Sequence, residues 1–276
     1  MNSLTVALIQ TDAKADKDDN VEAAYRYVEQ AARAGAQLVT LPENFHVRAG
    51  ENGNQIKLDA AEPIPGPMSQ RFSELARTHE IFLLAGSYGE RTDTSDRIYN
   101  TSLLFDPQGR LIAKYRKIHL FDVTVGDHVV ARESSRVLPG SETVTADTAF
   151  GRVGLSICYD VRFPELYRSL AVSGAVACFV PANFTLYTGK DHWEVLLRAR
   201  AVENGVYVIA PAQIGKIPNG HESYGRSMIV DPRGTVVACA PDRPGVTIAE
   251  IDLDAVSEVR ARIPSLEHRV PDAYST

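Results

Sequence analysis

The sequence predicts an α/β fold in which two sheets stack face to face with helices outside, and three observations lead there. Strand-like apolar runs alternate with helix-like stretches along the chain, the signature of a layered α/β architecture. The order of elements in the first half recurs in the second. Two motifs recur with it, LPENF (41–45) against VPANF (180–184) and DPQG (106–109) against DPRG (231–234). Two βαβ-type halves related by an internal pseudo-twofold must share one core, so a single domain over residues 1–276 is expected.

In the first half, LTVALIQ (4–10) is β-rich, and residues 20–35 place Val21, Tyr25, Val28 and Ala32 at helical spacing before Gly35. AQLVTLPENF (36–45) reads as a strand that runs into a loop at Pro42. Pro67 marks the start of a second helix, with Met68, Phe72, Leu75 and Ala76 on one face. Residues 81–89 predict another strand, and residues 100–117 a hairpin whose turn is Asp106-Pro107-Gln108-Gly109. The second half follows suit: a strand over 151–160, a helix over 162–174, a strand over 175–184 and a helix over 192–205. A strand over 206–213 and a hairpin over 225–240, turning at 231–234, complete it. The tail from 252 to 276 is polar with scattered Val256, Val259, Ile263 and Leu266, and reads as a packing or dimerisation arm.

Composition narrows the function. A chain of 276 residues with 44% hydrophobic and 23% charged residues is ordinary for a globular enzyme and argues against disorder. A net charge of −6 with no dense Lys/Arg run gives no footprint for nucleic acid. No apolar run approaches the roughly 20 residues that span a bilayer. The opening MNSLTVALIQTDAKAD has no basic segment followed by a long apolar stretch, so no signal peptide is expected. Cys158, Cys178 and Cys239 are too few and scattered for a disulfide framework or a CxxC site. A reducing cytoplasm follows as the expected compartment.

Three reactive side chains fall at strand ends, where α/β folds collect function. Glu43 ends the second strand, Lys117 follows the first hairpin and Cys158 ends the strand that opens the second half. Each has a plain alternative: a core thiol, a solvated loop carboxylate, a surface amine. Together they fit acyl transfer. A free thiol has a pKa of about 8.5 and needs a neighbouring base or cation. A carboxylate takes its proton and returns it to a leaving amine, and an ammonium stabilises the thiolate and the oxyanion.

The segments LPENF, KYRKIHLFD (114–122) and GLSICYDVRFPE (154–165), in this order, resemble the carbon–nitrogen hydrolases of the nitrilase superfamily. The resemblance runs from VALIQ (6–10) to EHRVPDAY (267–274). It implies an αββα sandwich that pairs through one face into an αββα–αββα homodimer or larger homo-oligomer. It implies Glu43 as general base, Lys117 as oxyanion stabiliser and Cys158 as nucleophile, with Glu133 of VARESSRVLPG as a second carboxylate that orients Lys117. The backbone N–H of Tyr159 is the expected second oxyanion donor. No cofactor or metal is implied, and the partner is a small-molecule amide, with no nucleic acid or membrane.

Nitrile-cleaving members carry Trp-Glu after the cysteine, and this chain has Tyr159-Asp160 instead. The segments CYDVRFPELYR, HWEVLLRARAVEN, SYGRSMIVDPRGTVVA and RIPSLEHRVPDAY resemble the deaminated glutathione amidases, which release 2-oxoglutarate and cysteinylglycine. The related ω-amidases, acting on 2-oxoglutaramate, share the style of the lysine segment. Either acyl group needs a cation near the thiol. Arg162 fits as a carboxylate clamp, or else as the partner of Glu165 or Asp160. Thr188, in a loop opposite, fits as a donor to the keto acid or as a local cap. Trp193, spaced with Leu196 and Leu197, reads as core or dimer interface. Two rival readings stand: a Cys–His hydrolase using His119 or His192, and a non-catalytic binding or scaffold protein on the same fold. No HxH, HExxH or CxxC spacing favours a metal hydrolase.

Overall fold

A computed structural model describes residues 2–50, 53–93, 96–125, 129–217 and 220–274. The last two residues of the tail, 275 and 276, lie outside the described residues. Six α-helices are present among them: α1 (Lys17–Arg33), α2 (Gly53–Asp59), α3 (Pro67–His79), α4 (Pro164–Val172), α5 (Leu186–Asn204) and α6 (Asp254–Arg262). None is long and apolar enough to cross a membrane.

Two sheets form the centre. In the first, Ser3–Gln10, Leu38–Thr40 and Phe82–Leu84 run parallel, with Gly245–Asp252 antiparallel at one side and Ile98–Phe105 antiparallel at the other. In the second, Gly151–Leu155, Ala177–Phe179 and Tyr207–Ala210 run parallel between antiparallel Val144–Thr148 and Met228–Val230. The hairpins turning at 106–109 and 231–234 extend the two sheets in the same way. The repeat in the sequence is therefore a repeat of topology, three parallel strands flanked by antiparallel ones.

Alternation along the strands sets the layers. Val6 and Leu8 pack with Leu155, Phe179 and Ile209 of the other sheet, whereas Ala7 and Ile9 pack with Val21, Val28 and Phe72 of α1 and α3. On the far side, Leu166 and Leu170 of α4 and Trp193, Leu197 and Ala201 of α5 cover the second sheet. The order α–β–β–α is an αββα sandwich.

Local chemistry explains the helix ends. The Asp16 carboxylate accepts from the Asp19 N–H at the start of α1, satisfying a donor the helix leaves open. Pro67 opens α3, and Gly205 closes α5 at φ +57°. Helix α5 begins at Leu186, several residues before the periodic run that starts at His192. Thr185 takes an extended N-cap conformation, and the turn closes with a Gly189 N–H bond to the Thr185 carbonyl at 2.7 Å. The expected loop around Thr188 is thus the first turn of a helix. Residues 81–89 hold two short strands rather than one, because Gly86 at φ +47° breaks them.

The carboxyl-terminal region begins with a strand that the sequence left unread, Gly245–Asp252, paired along all eight residues with Ser3–Gln10. It leads into α6, whose Ala255 and Val256 are buried on the second sheet's side of the core. Arg260 holds α6 down, donating to the carbonyls of Ala175 (2.7 Å), Gly205 (3.1 Å) and Asn204 (3.3 Å). Beyond it, Ile263, Val270 and Tyr274 are exposed. Cys178 is core, but Cys239 stands exposed on a strand that runs at the sheet's edge.

Arg260→Ala is expected to lower the unfolding free energy by about 1–3 kcal/mol, since three carbonyls lose their donor. Urea titration checks this, and a midpoint equal to wild type would show that α6 is not anchored through Arg260.

Candidate active site

Each reactive side chain is presented by a loop that leaves a strand of the central layers. The strand Leu38–Thr40 ends at Leu41-Pro42, and Glu43 then bridges to Ser87 beside the next strand. Gly86 makes that approach possible: a Cβ there would lie 2.1 Å from the Pro42 carbonyl oxygen. Lys117 follows the strand Leu111–Arg116 and is pinned by its N–H to the Asn100 carbonyl at 2.9 Å. Cys158 stands three residues past Gly151–Leu155, at φ +49°, at the head of a short 3-10 turn. For a non-glycine residue that conformation is strained and persists only where its surroundings enforce it.

Asp160 enforces it. Fully buried, its carboxylate accepts from the N–H of Ile157 (2.8 Å), the N–H of His119 (3.1 Å) and the hydroxyl of Tyr115 (2.6 Å). It also meets His119 Nδ1 at 2.7 Å. The Cys158 N–H completes the turn on the Pro181 carbonyl at 3.0 Å. Asp160 therefore ties the cysteine turn to the lysine segment.

The side chains converge. Lys117 Nζ donates to Glu43 Oε1 at 3.0 Å and to Glu133 Oε2 and Oε1 at 2.9 and 3.2 Å. The Cys158 thiol stands close enough to the Glu43 carboxylate for each to shift the other's protonation. Glu43 Oε2 accepts the backbone N–H of Asn183 at 2.9 Å, reaching across to the matching loop of the other half. Glu133 further accepts the Phe121 N–H at 2.6 Å. Asn100 went unremarked in the sequence, yet its Nδ2 donates to Glu43 at 2.9 Å and to Glu133 at 3.3 Å. Its signal was weak: a lone Asn at the start of a hairpin strand. Glu43 and Lys117 are buried, 3% and 2% exposed, so these charges act in a medium that screens them little.

That burial decides protonation. Desolvation alone would raise the Glu43 carboxyl, but the Lys117 ammonium and the bonds from Cys158 and Lys117 hold it below its ordinary range. Desolvation would lower Lys117, and the carboxylates of Glu133 and Glu43 overcome it, so the ammonium sits well above its usual range. The Cys158 thiol is pushed well up by burial and by the Glu43 charge, against the pull of Lys117. The resting arrangement is carboxylate, ammonium and neutral thiol. The adjacent lysine thus does not make a standing thiolate, and a nucleophilic thiol here would need the neighbouring carboxylate to take its proton.

Neither candidate histidine belongs to this group. His119 is held by Asp160 and stacks on Phe163, ring centroids 3.6 Å apart, and His192 meets Arg162 at 3.3 Å. Arg162 pairs with neither Glu165 nor Asp160, and among the described residues it has no carboxylate partner. Its guanidinium lies 5.2 Å from the Phe184 ring centroid. Thr188 is buried, its hydroxyl 2.9 Å from that of Thr185. Trp193 is core, its indole N–H on the Arg226 carbonyl at 2.8 Å. Among the described residues no group of three His, Cys, Asp or Glu is placed to hold a metal ion.

Two recesses open here. A small one is lined by Cys158, Tyr159, Asn183, Phe184, Thr185 and Thr188 together with Phe121. A larger cavity of about 350 Å³ shares Phe121 with it and reaches Asn100 and Glu133.

Known proteins are similar to this chain over nearly its whole length. Residues 5–261 match the family described as carbon-nitrogen hydrolase. A Synechocystis protein named deaminated glutathione amidase is 43% identical over 98% of this chain and 99% of its own. A human omega-amidase is 39% identical over 100% of this chain and 98% of its own. The crystal structure of the C. elegans NitFhit protein superposes with a TM-score of 0.92 at 39% identity. It covers 99% of this chain, which spans only 66% of that longer one.

Since the folded Glu43 carboxyl lies below its ordinary 4.5, its ionised form adds stability that is complete above that pH. The contribution is lost as the pH falls through the lower, folded value. The stability gap between wild type and Glu43→Gln in urea titrations is expected to hold steady above pH 4.5 and to narrow below it. A gap that does not change with pH would contradict the assignment of charge.

Proposed function

This chain belongs to the carbon–nitrogen hydrolase family, and from that premise we propose that it is an amidase in which Cys158 carries the acyl group as a thioester. The observation that carries the reading is the buried Glu43 carboxylate, bonded to the Lys117 ammonium at 3.0 Å and lying beside the Cys158 thiol.

Cys158 Sγ attacks the amide carbonyl carbon while its proton passes to Glu43 and the carbonyl electron pair moves onto oxygen. Lys117 Nζ and the Tyr159 N–H donate to that oxyanion, and loss of one such donor costs about 2.7–4 kcal/mol in transition-state stabilisation. The C–N bond breaks as Glu43 returns its proton to the departing nitrogen. Water then gives a proton to Glu43 as its oxygen attacks the thioester, and the thiol regains that proton when the acid leaves. Glu133 takes no proton; it shares Lys117 with Glu43 and keeps the ammonium in place.

For substrate we read deaminated glutathione, cleaved to 2-oxoglutarate and cysteinylglycine. Identity of 43% over nearly the whole chain supports it, as does Arg162, a cation beside the thiol with no carboxylate of its own among the described residues. Arg162 suits the 2-oxo acid end, and Thr188 lines the small recess at Cys158. The second reading, an ω-amidase acting on 2-oxoglutaramate, uses the same acyl end and has 39% identity in its favour. A homodimer belongs to the proposal, supported by exposed Val195 and Val202 one heptad apart on α5. So does a cytoplasmic site of action, supported by three free cysteines.

Cys158→Ala is expected to abolish turnover while keeping the wild-type unfolding midpoint, and Glu43→Gln to be equally inactive. Full activity in Glu43→Gln would move the proton transfer to another base. Initial rates of 2-oxoglutarate release under reducing conditions separate the substrates. Faster release from deaminated glutathione is expected, and a preference for 2-oxoglutaramate would assign the chain to the second reading.

A further inference from the structure

The larger cavity has a character that the catalytic residues do not account for. Its volume, about 350 Å³, suits a small molecule, and its wall carries Lys57, Arg132 and Arg136 against one carboxylate, Glu133. Glu133 is already committed to Lys117, so among the described residues the cavity wall carries an excess of positive charge. Arg132 spends its guanidinium on the carbonyls of Val123 and Ala131, and Arg136 lies 4.0 Å from Asp96. Lys57, half-buried near the end of α2, has no ion-pair partner among the described residues. Its charge nonetheless reaches the site, for it acts on both Glu43 and His46.

His46 also lines this wall. It is 1% exposed, neither ring nitrogen has a hydrogen-bond partner among the described residues, and burial pushes its pKa down to about 3. A neutral imidazole adds no charge, so among the described residues the unanswered cation of this wall is Lys57. A partly desolvated ammonium without a counter-ion is a site for an anion.

Direction follows from the proton transfers. The amine must leave past the acid that protonates it, Glu43. Asn100, which bonds Glu43, and Glu133, which shares Lys117 with it, both border this cavity. Cys158, Tyr159 and Thr188 line the other recess, a void of about 20 Å³ at the nucleophile, and among the described residues only Phe121 lines both. Resting on the amidase reading above, we propose that the cavity is the leaving-group subsite and that Lys57 binds a carboxylate carried by the departing amine. For cysteinylglycine that carboxylate is the glycine terminus. A substrate that releases ammonia puts nothing there, so Lys57 sets the preference for a peptidyl over an unsubstituted amide.

The test compares deaminated glutathione with the same compound bearing a carboxamide in place of the glycine carboxylate. Wild type is expected to show a KM about tenfold or more higher for the carboxamide, the scale of one charge-assisted hydrogen bond, with kcat little altered. In Lys57→Met the KM for deaminated glutathione should rise to meet that of the carboxamide, and Lys57→Arg should keep the preference. Equal KM values for both compounds in wild type, or an equal rise for both in Lys57→Met, would overturn the subsite while leaving the amidase reading intact. A wild type that cleaves neither compound would overturn the substrate reading, and the subsite with it.

Discussion

Lys117, buried between two carboxylates, is the constraint on which the rest depends. A lone ammonium at 2% exposure would be driven to neutrality, and so would a lone carboxylate in the position of Glu43. Each keeps its charge because the other is there. Glu133 adds a second negative charge that Asn100 and the Phe121 N–H help to hold. Removing Lys117 leaves two uncompensated carboxylates at the site, so it is also a joint in the fold. The four segments that carry it, around residues 43, 117, 133 and 158, cannot be repositioned independently.

The same charges set the chemistry. In the proposed mechanism, a carboxylate held ionised beside a thiol held neutral is the base that takes its proton, and the reaction need not begin from a standing thiolate. The strained turn at Cys158 serves this arrangement by presenting sulfur at the end of a buried strand. Its strain is balanced by Asp160, whose bonds to Ile157, His119 and Tyr115 bind the turn to the lysine segment. The pseudo-twofold supplies the last element. LPENF provides Glu43 and VPANF provides the Asn183 N–H that Glu43 accepts, so the two halves meet at the carboxylate.

The layered fold and three of the site residues were legible because they rest on local signals. Alternating apolar runs, Gly and Pro punctuation and the repeated turns gave the strands and most helices. Glu43, Lys117 and Cys158 were visible as reactive groups at strand ends within segments that resemble one family. Glu133 came from the resemblance alone, since only its neighbours in the folded chain mark it. What stayed hidden depends on long-range contact. Asn100 gains its place by bridging two carboxylates 57 and 33 residues away. The strand Gly245–Asp252 gains its place by pairing with the first strand of the chain. The start of α5 was obscured because Tyr187 and Gly189 interrupt its helical pattern, and the cap at Thr185 decides it instead. Lys57 carries no motif, and its position is apparent only once the cavity is closed around it.

The most direct measurement is rapid-quench mass spectrometry of the intact protein reacting with deaminated glutathione. A 2-oxoglutaryl adduct on Cys158 is predicted, forming with release of one equivalent of cysteinylglycine before 2-oxoglutarate appears. Simultaneous release of both products with Cys158 unmodified at every time point would contradict a thioester at this cysteine.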